Sequence, residues 1–410
     1  MARKKPTAMP SPPSRSPGHI DTAALAVLGV ALAAATGLVV VRDASRDYRF
    51  YQRGFRNAVE QKFGSDAART VPSGPQQVWI AGLDRADRCI SCHQGVSWKG
   101  FEDADQPWRS HPRDVLASHP ADRFGCTVCH GGQGWAVDEA GAHGRVAGWG
   151  EPLLDEALSN RLAPGSGRRA LVEMNCNVCH RYEARTAGAG MINRAKQLLD
   201  EKGCRACHLV NGRGGLIGPD LTWAGDKNPE QYDYTRLHGP RSVFGWHLEH
   251  LRDPRALVPD SVMPNFHLSE ADTQALALLV MSWRRGPEDV SLLGRTPRGE
   301  PEPEGERTLR AAGMSGPGAW FVQTGCYRCH DVSAMGVKSP TPIGPDLSTA
   351  AEDTVRRFSA PIDRFIHAPV GTMRAVMTRQ IMLSPEQKDE AVRQLRAAYA
   401  EYQKTLTKPK

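Results

Sequence analysis

The chain has 410 residues, with 52 Lys and Arg against 45 Asp and Glu, 14 His, and a formal net charge of +7. Its length bounds the part outside any membrane span at two or three domains. The positive charge would suit an anionic partner, but the chain holds no dense basic run with interleaved aromatics, which excludes nucleic-acid binding.

Residues 1–21 carry Pro6, Pro10, Pro12, Pro13 and Pro17 and read as a disordered cytoplasmic tail. Residues 22–41 (TAALAVLGVALAAATGLVVV) contain no charge. At about 1.5 Å per residue this run spans a bilayer core of about 30 Å. Arg3, Lys4, Lys5 and Arg15 precede it, but Arg42, Arg46 and Arg49 follow it, so flanking charge alone leaves the orientation open. The run is longer than the roughly 7–15 apolar residues of a signal peptide, and no A-x-A site follows Val41. An uncleaved anchor is the reading, with a cleaved signal as the alternative. In the juxtamembrane segment 42–84, the stretch DYRFYQRGFRNAVEQKF reads as a helix. It either lies at the interface, with Tyr48, Phe50 and Tyr51 near the headgroups, or simply connects.

Five CxxCH motifs follow: Cys89/Cys92/His93, Cys126/Cys129/His130, Cys176/Cys179/His180, Cys204/Cys207/His208 and Cys326/Cys329/His330. They use all 10 cysteines. CxxCH is the attachment signature of c-type haem: two thioethers bind the porphyrin and the histidine becomes the proximal iron ligand. Zinc half-sites, redox pairs and disulfides need no histidine after the second cysteine. Chance placement of histidine at all five positions has a probability on the order of 10⁻⁷ to 10⁻⁸. The expected cofactor is five covalent haem c. Their propionates would bring the net charge to about −3, which removes the case for an anionic partner. Covalent haem attachment takes place outside the cytoplasm. The expected location is therefore a bacterial inner membrane, single-pass, with the bulk of the chain on the periplasmic side.

The neighbourhoods of the motifs differ. Residues 85–190 hold the first three among Gly, Pro, Asp and Arg, with little helical periodicity. This three-haem region is expected to be loop-rich and poor in core. The fourth and fifth motifs share a repeated order. A helical stretch (MINRAKQLLDEKG; FVQTG) precedes each, and Ile217-Gly-Pro-Asp-Leu221 or Ile343-Gly-Pro-Asp-Leu347 follows. Ser269 then N-caps a buried helix, ALALLVMSW, and Ser384 with Pro385 opens a last helix bearing Val392, Leu395, Tyr399 and Tyr402. On these motifs residues 191–284 and 318–410 resemble class I cytochrome c domains. The resemblance implies two helices crossing over one haem, with a late methionine as distal ligand. The segment 285–317 (RTPRGEPEPEGER) reads as a polar linker giving the last domain some freedom. The fold class is mainly α with many loops: an N-terminal transmembrane helix, the multihaem region and two helical cytochrome domains.

Distal ligands follow from the same patterns. Met263, followed by Pro264, matches the family position for the fourth haem. The fifth unit lacks Met-Pro, so Met373 and Met377 compete, with Met382 or an open site as alternatives. His111, His119 and His143 cluster where three haems need partners and are the candidates there, against solvent-exposed loop histidines. Met174 and Met191 are weaker candidates. His247, His250 and His267 are read as propionate contacts or solvent-facing. Bis-His ligation lowers the potential relative to His/Met.

DRCISCHQG, the Pro107-Trp-Arg-Ser-His-Pro run, FGCTVCHGGQG and the later Ala-His-Gly resemble multihaem subunits that accompany bacterial cytochrome b-type quinol-oxidising complexes. The resemblance implies electron relay from a membrane module to a soluble cytochrome or a terminal oxidase or reductase. The short step from Cys176 to Cys204 suggests neighbouring third and fourth haems, and the long step to Cys326 a separable fifth. An open-site haem enzyme is the alternative, with the third and fifth haems as candidates. A conduit to extracellular acceptors is another.

Overall fold

Thr22–Ala44 forms one uninterrupted helix of 23 residues with no buried side chain, and its most apolar 18-residue window has a mean hydropathy of 2.5. The protein was described from a computed structural model covering residues 22–239, 241–285, 300 and 302–407. The expected tail 1–21 and positions 286–299 of the expected linker lie outside the described residues. The fold is mainly helical, with two short antiparallel hairpins among the described residues. The described chain divides into two compact units. One holds residues 22–77, 88–115 and 136–139, and the other holds 78–87, 116–135 and 140–407.

In the first unit, helix Asp47–Phe63 buries Tyr48, Gln52, Phe55 and Val59. Their spacing of i, i+4, i+7 and i+11 makes one stripe of a 3.6-residue helix. Phe55 meets Phe101 at 5.1 Å and Trp98 at 5.6 Å between ring centroids. Each such fully buried side chain contributes about 1.5–3 kcal/mol. This corrects the interfacial reading. Tyr48 is 2% exposed and faces the core. The Tyr51 hydroxyl donates to Glu139 at 2.7 Å, and its pKa is pushed up to about 12 by that bond. Phe50 alone of the three stays exposed.

The second unit contains two helical cores. Helices Ala170–His180, Gly190–Glu201, Val243–Arg252 and Glu270–Ser282 surround Leu171, Ile192, Leu198, Phe244, Leu278 and Leu279. Helices Ala319–Gln323, Ile362–His367, Gly371–Arg379 and Pro385–Thr407 surround Phe321, Val332, Phe365 and Leu395. Both expected caps are present: Ser269 Oγ accepts from Asp272 N, and Ser384 Oγ accepts from Gln387 N, each at 3.2 Å. Gln387 Oε1 closes the second box by accepting from Ser384 N at 2.8 Å.

Two expectations change here. The third motif is not in a core-poor loop. Cys176, Cys179 and His180 ride on helix Ala170–His180, whose Leu171 and Met174 belong to the first core. The end of the linker is not free either. Helix Glu304–Met314 starts within it, and Glu300 and Glu306 bind the fourth-motif domain through Arg205 and Arg213 at 2.6–3.2 Å. The last domain then packs on the fourth-motif domain through Ile217, Ala375 and Val376.

Candidate functional site

All ten cysteines are thiols outside any disulfide. Burial pushes the thiols of Cys92, Cys129 and Cys204 up to about 11. Burial thus disfavours the thiolate form at these three sulfurs.

Each motif is held by a polar residue from elsewhere. At the first, Ser91 Oγ donates to Gln76 O and accepts from Gln76 N, at 2.9 and 2.8 Å. Gln52 Nε2 donates to Ser91 O at 2.9 Å from the apolar stripe of its helix. His93, the expected proximal ligand of this motif, is half-buried between two short 3-10 turns, Cys89–Ser91 and Gln94–Ser97. Its backbone N donates to Cys89 O at 2.9 Å, and its O accepts from Val96 N at 3.3 Å. The same histidine-to-first-cysteine bond closes the second, fourth and fifth motifs at 2.9–3.2 Å. His93 nevertheless differs from His208 and His330, because no Gly-Pro-Asp segment follows its motif. The backbone turn around His93 thus resembles that of the other motifs, while the sequence after it differs. His111 lies near this motif in the same unit, its backbone N donating to Val96 O at 3.1 Å. At the second, the buried Asp87 carboxylate accepts from Cys126 N and Thr127 N at 2.8 and 2.7 Å. His143 is half-buried, on a turn whose Ala142 O accepts from Gln133 N, three residues past His130.

At the third, His180 Nδ1 pairs with Glu183 at 2.8 Å. A carboxylate on Nδ1 orients the ring and raises its basicity. The His119 ring stands 5.7 Å from the His180 ring, at 74°. His119 is thus the histidine that would hold, together with His180, a haem at this motif. The sequence named His119 but did not say which motif it meets.

At the fourth and fifth, the repeated Gly-Pro-Asp segment does the same work twice. His208 Nδ1 donates to Pro219 O at 2.9 Å, and His330 Nδ1 donates to Pro345 O at 2.7 Å. The tautomer follows: Nδ1 carries the proton and Nε2 presents its lone pair. Gly218 and Gly344 touch the histidine rings so closely that any Cβ would overlap them. Burial lowers the pKa of both imidazoles, which keeps Nε2 unprotonated. Gly344→Ala is expected to push His330 off its carbonyl at a cost of about 1–3 kcal/mol. A haem held by His330 would then lose its low-spin spectrum while the remaining haem signal is kept, as read by absorption and resonance Raman. An unchanged spectrum would refute the steric account.

Met263 is half-buried in an irregular loop, its N donating to Ser261 Oγ at 3.2 Å, and Val262 beside it packs on the last domain. Met373 and Met377 share helix Gly371–Arg379, one turn apart on one face. Met377 is in the last domain's core, and Met373 lies between that core and the junction with the fourth-motif domain. Met174 is core packing, and Met191 packs at its edge. His247 is buried, bonded to the Tyr232 hydroxyl at 3.1 Å, with its pKa pushed down to about 3. His250 stacks on Trp246 at 4.7 Å, and His267 is exposed.

Motifs two to five are connected in chain order. Asn175, one residue before Cys176, donates to Val128 O and Cys129 O at 2.8 and 3.1 Å. Arg181, one residue past His180, donates to Asn211 Oδ1 at 2.9 Å beyond the fourth motif. Asp87, Gln52, Asn175 and Glu183 were not anticipated from sequence. Only Gln52 left a signal, a polar residue in an apolar stripe.

The donor set thus fits haem c: paired thiols in apolar slots, each followed by an imidazole, with Nε2 available wherever the Nδ1 partner is defined. Residues 192–283 match the family model described as Cytochrome c. This segment is a cytochrome c domain. It contains the fourth motif and Met263, and it supports covalent haem c and haem-based electron transfer. A stretch of 93 residues is 30% identical to "Cytochrome c oxidase subunit 2" of Alkalihalophilus pseudofirmus, covering 22% of this chain and 25% of that protein. The chain thus spans about a quarter of the length of that curated relative. No solved structure matches the chain. Ahead of the cytochrome c domain, Thr22–Ala44 is long and apolar enough to anchor the chain in a membrane.

Proposed function

We propose that the chain is a membrane-anchored pentahaem cytochrome that relays electrons. In this reading it takes them from a cytochrome b-type or other quinol-oxidising membrane subunit. It delivers them to a soluble cytochrome or a terminal oxidase or reductase on the periplasmic side. The observation that carries the reading is the repetition of one donor set five times, with motifs two to five linked residue to residue. Haem iron supplies one-electron chemistry. The chain fixes each ring, excludes water from the thiols and sets the axial partners.

The axial partners divide the sites. We assign His119 as the second axial ligand of the third haem, opposite His180. His111 is the candidate to face His93 at the first motif, and His143 the candidate to face His130 at the second. Met263 serves the fourth, and the face bearing Met373 and Met377 serves the fifth. On this assignment bis-His haems of lower potential precede His/Met haems of higher potential.

A pyridine haemochrome assay with intact mass measurement should find five haems per chain. Four or fewer would remove the pentahaem reading. Detergent extraction should bring a cytochrome b or Rieske subunit along, and its consistent absence would remove the quinol-complex partner. His119→Ala should convert the third haem to a high-spin site that binds carbon monoxide stoichiometrically when reduced. If wild-type protein already binds carbon monoxide in this way, the open-site enzyme is the better reading.

A further inference from the structure

We propose that the fourth and fifth haem-attachment loops are docked permanently on each other, so that their two haems lie edge to edge and exchange electrons directly within the chain. This rests on reading both motifs as haem sites. The thioether sulfur marks one edge of its porphyrin, so whatever covers that sulfur lies beside that edge. Cys207 is covered by the last domain. It packs in one cluster with Ile217, Met373, Ala375, Val376 and Ile381.

The contact is reciprocal. Gly203, directly before Cys204, is approached so closely by Thr341 and Ile343 that a Cβ would overlap both. Ile343 stands just ahead of Gly344 and Pro345, as Ile217 stands ahead of Gly218 and Pro219. Each proximal loop therefore reaches into the other domain's attachment site. Arg379 donates to Ile217 O at 3.1 Å, and a Cβ on Gly215 would lie 2.5 Å from Gln380 Oε1. Ile217, Ala375 and Val376 are 3–9% exposed, which a swinging domain would not allow.

Interfaces between domains of one chain permit motion by default unless they are apolar and extensive. This one is apolar at its centre and strapped at its margin by Glu300 and Glu306 on Arg205 and Arg213. The transfer it serves is simple: one electron leaves a ferrous iron and reduces the neighbouring ferric iron, with no proton or bond exchanged. A soluble partner cannot dock on the edge that is already covered.

The test uses the full-length oxidised holoprotein in detergent. Electron paramagnetic resonance of the fourth and fifth haems should show mutual broadening and fast relaxation from spin coupling. Ile381→Glu, which places a carboxylate in the junction, should narrow both signals. It should also slow electron transfer between the two haems at least tenfold after flash reduction, with the haem count retained. Arg379→Ala, a milder change, should act in the same direction. Narrow, independently relaxing signals in the wild type overturn the docking, whatever the variants do. A wild-type chain lacking the fourth or fifth haem sinks the haem reading instead, and the haemochrome count separates the two failures.

Discussion

Glu300→Ala is expected to cost about 3–5 kcal/mol, because it breaks a largely buried ionic cluster. Glu300 is the common partner of two guanidiniums: Arg205 at 2.6 Å and Arg213 at 3.2 Å. All three side chains are 15–18% exposed. Burial already lowers the pKa of Arg205, and Arg213 beside it acts in the same direction, while Glu300 opposes both. Without Glu300, two like charges would remain side by side, Arg205 keeping only Asp200 at 3.8 Å and Arg213 only Glu306. Guanidinium unfolding followed by the Soret band checks this, and an unchanged midpoint would refute it. Replacing all three, as Arg205→Met, Arg213→Met and Glu300→Leu, should recover most of the loss, because a buried ionic cluster is often matched by apolar packing.

Met263→Ala is expected to lower the potential of the fourth haem by on the order of 0.1 V or more, a fraction of the roughly 0.8 V range that axial ligands set. The thioether favours ferrous iron, and its loss favours ferric. The methionine-to-iron charge-transfer absorption of that haem should vanish with it. Met373→Ala and Met377→Ala, made separately, decide which of the two serves the fifth haem. A charge-transfer band that survives removal of all three methionines would end the His/Met assignment.

Much of this was legible because covalent chemistry needs fixed spacing. CxxCH has no freedom of register, so covalent haem c and ten candidate attachment cysteines can be named from the sequence. The Gly-Pro-Asp segments were legible as a repeat, but their role was not. Only the folded chain shows Pro219 and Pro345 setting the histidine tautomer and the neighbouring glycines making room for the rings. The two capped helices were legible because N-caps act within one turn.

What misled was inference from distance along the chain. The long stretch before Cys326 suggested a separable domain, yet Glu300, Ile217 and Val376 bind the two halves together. The loop-like composition before Cys176 hid a helix, because Leu171 and Met174 gain their burial from helices about 20 and 100 residues later. Tyr48 looked like an interfacial aromatic and proved to be core.

The sequence by itself therefore determined the haem c chemistry, the long apolar N-terminal helix and the two capped helices. Each depends on covalent bonds, hydropathy or contacts within a turn. The tertiary structure alone decided which histidine faces His180, which carboxylate holds the second motif, and whether the last domain swings or docks. Those depend on contacts between residues far apart in the chain, and no local pattern encodes them.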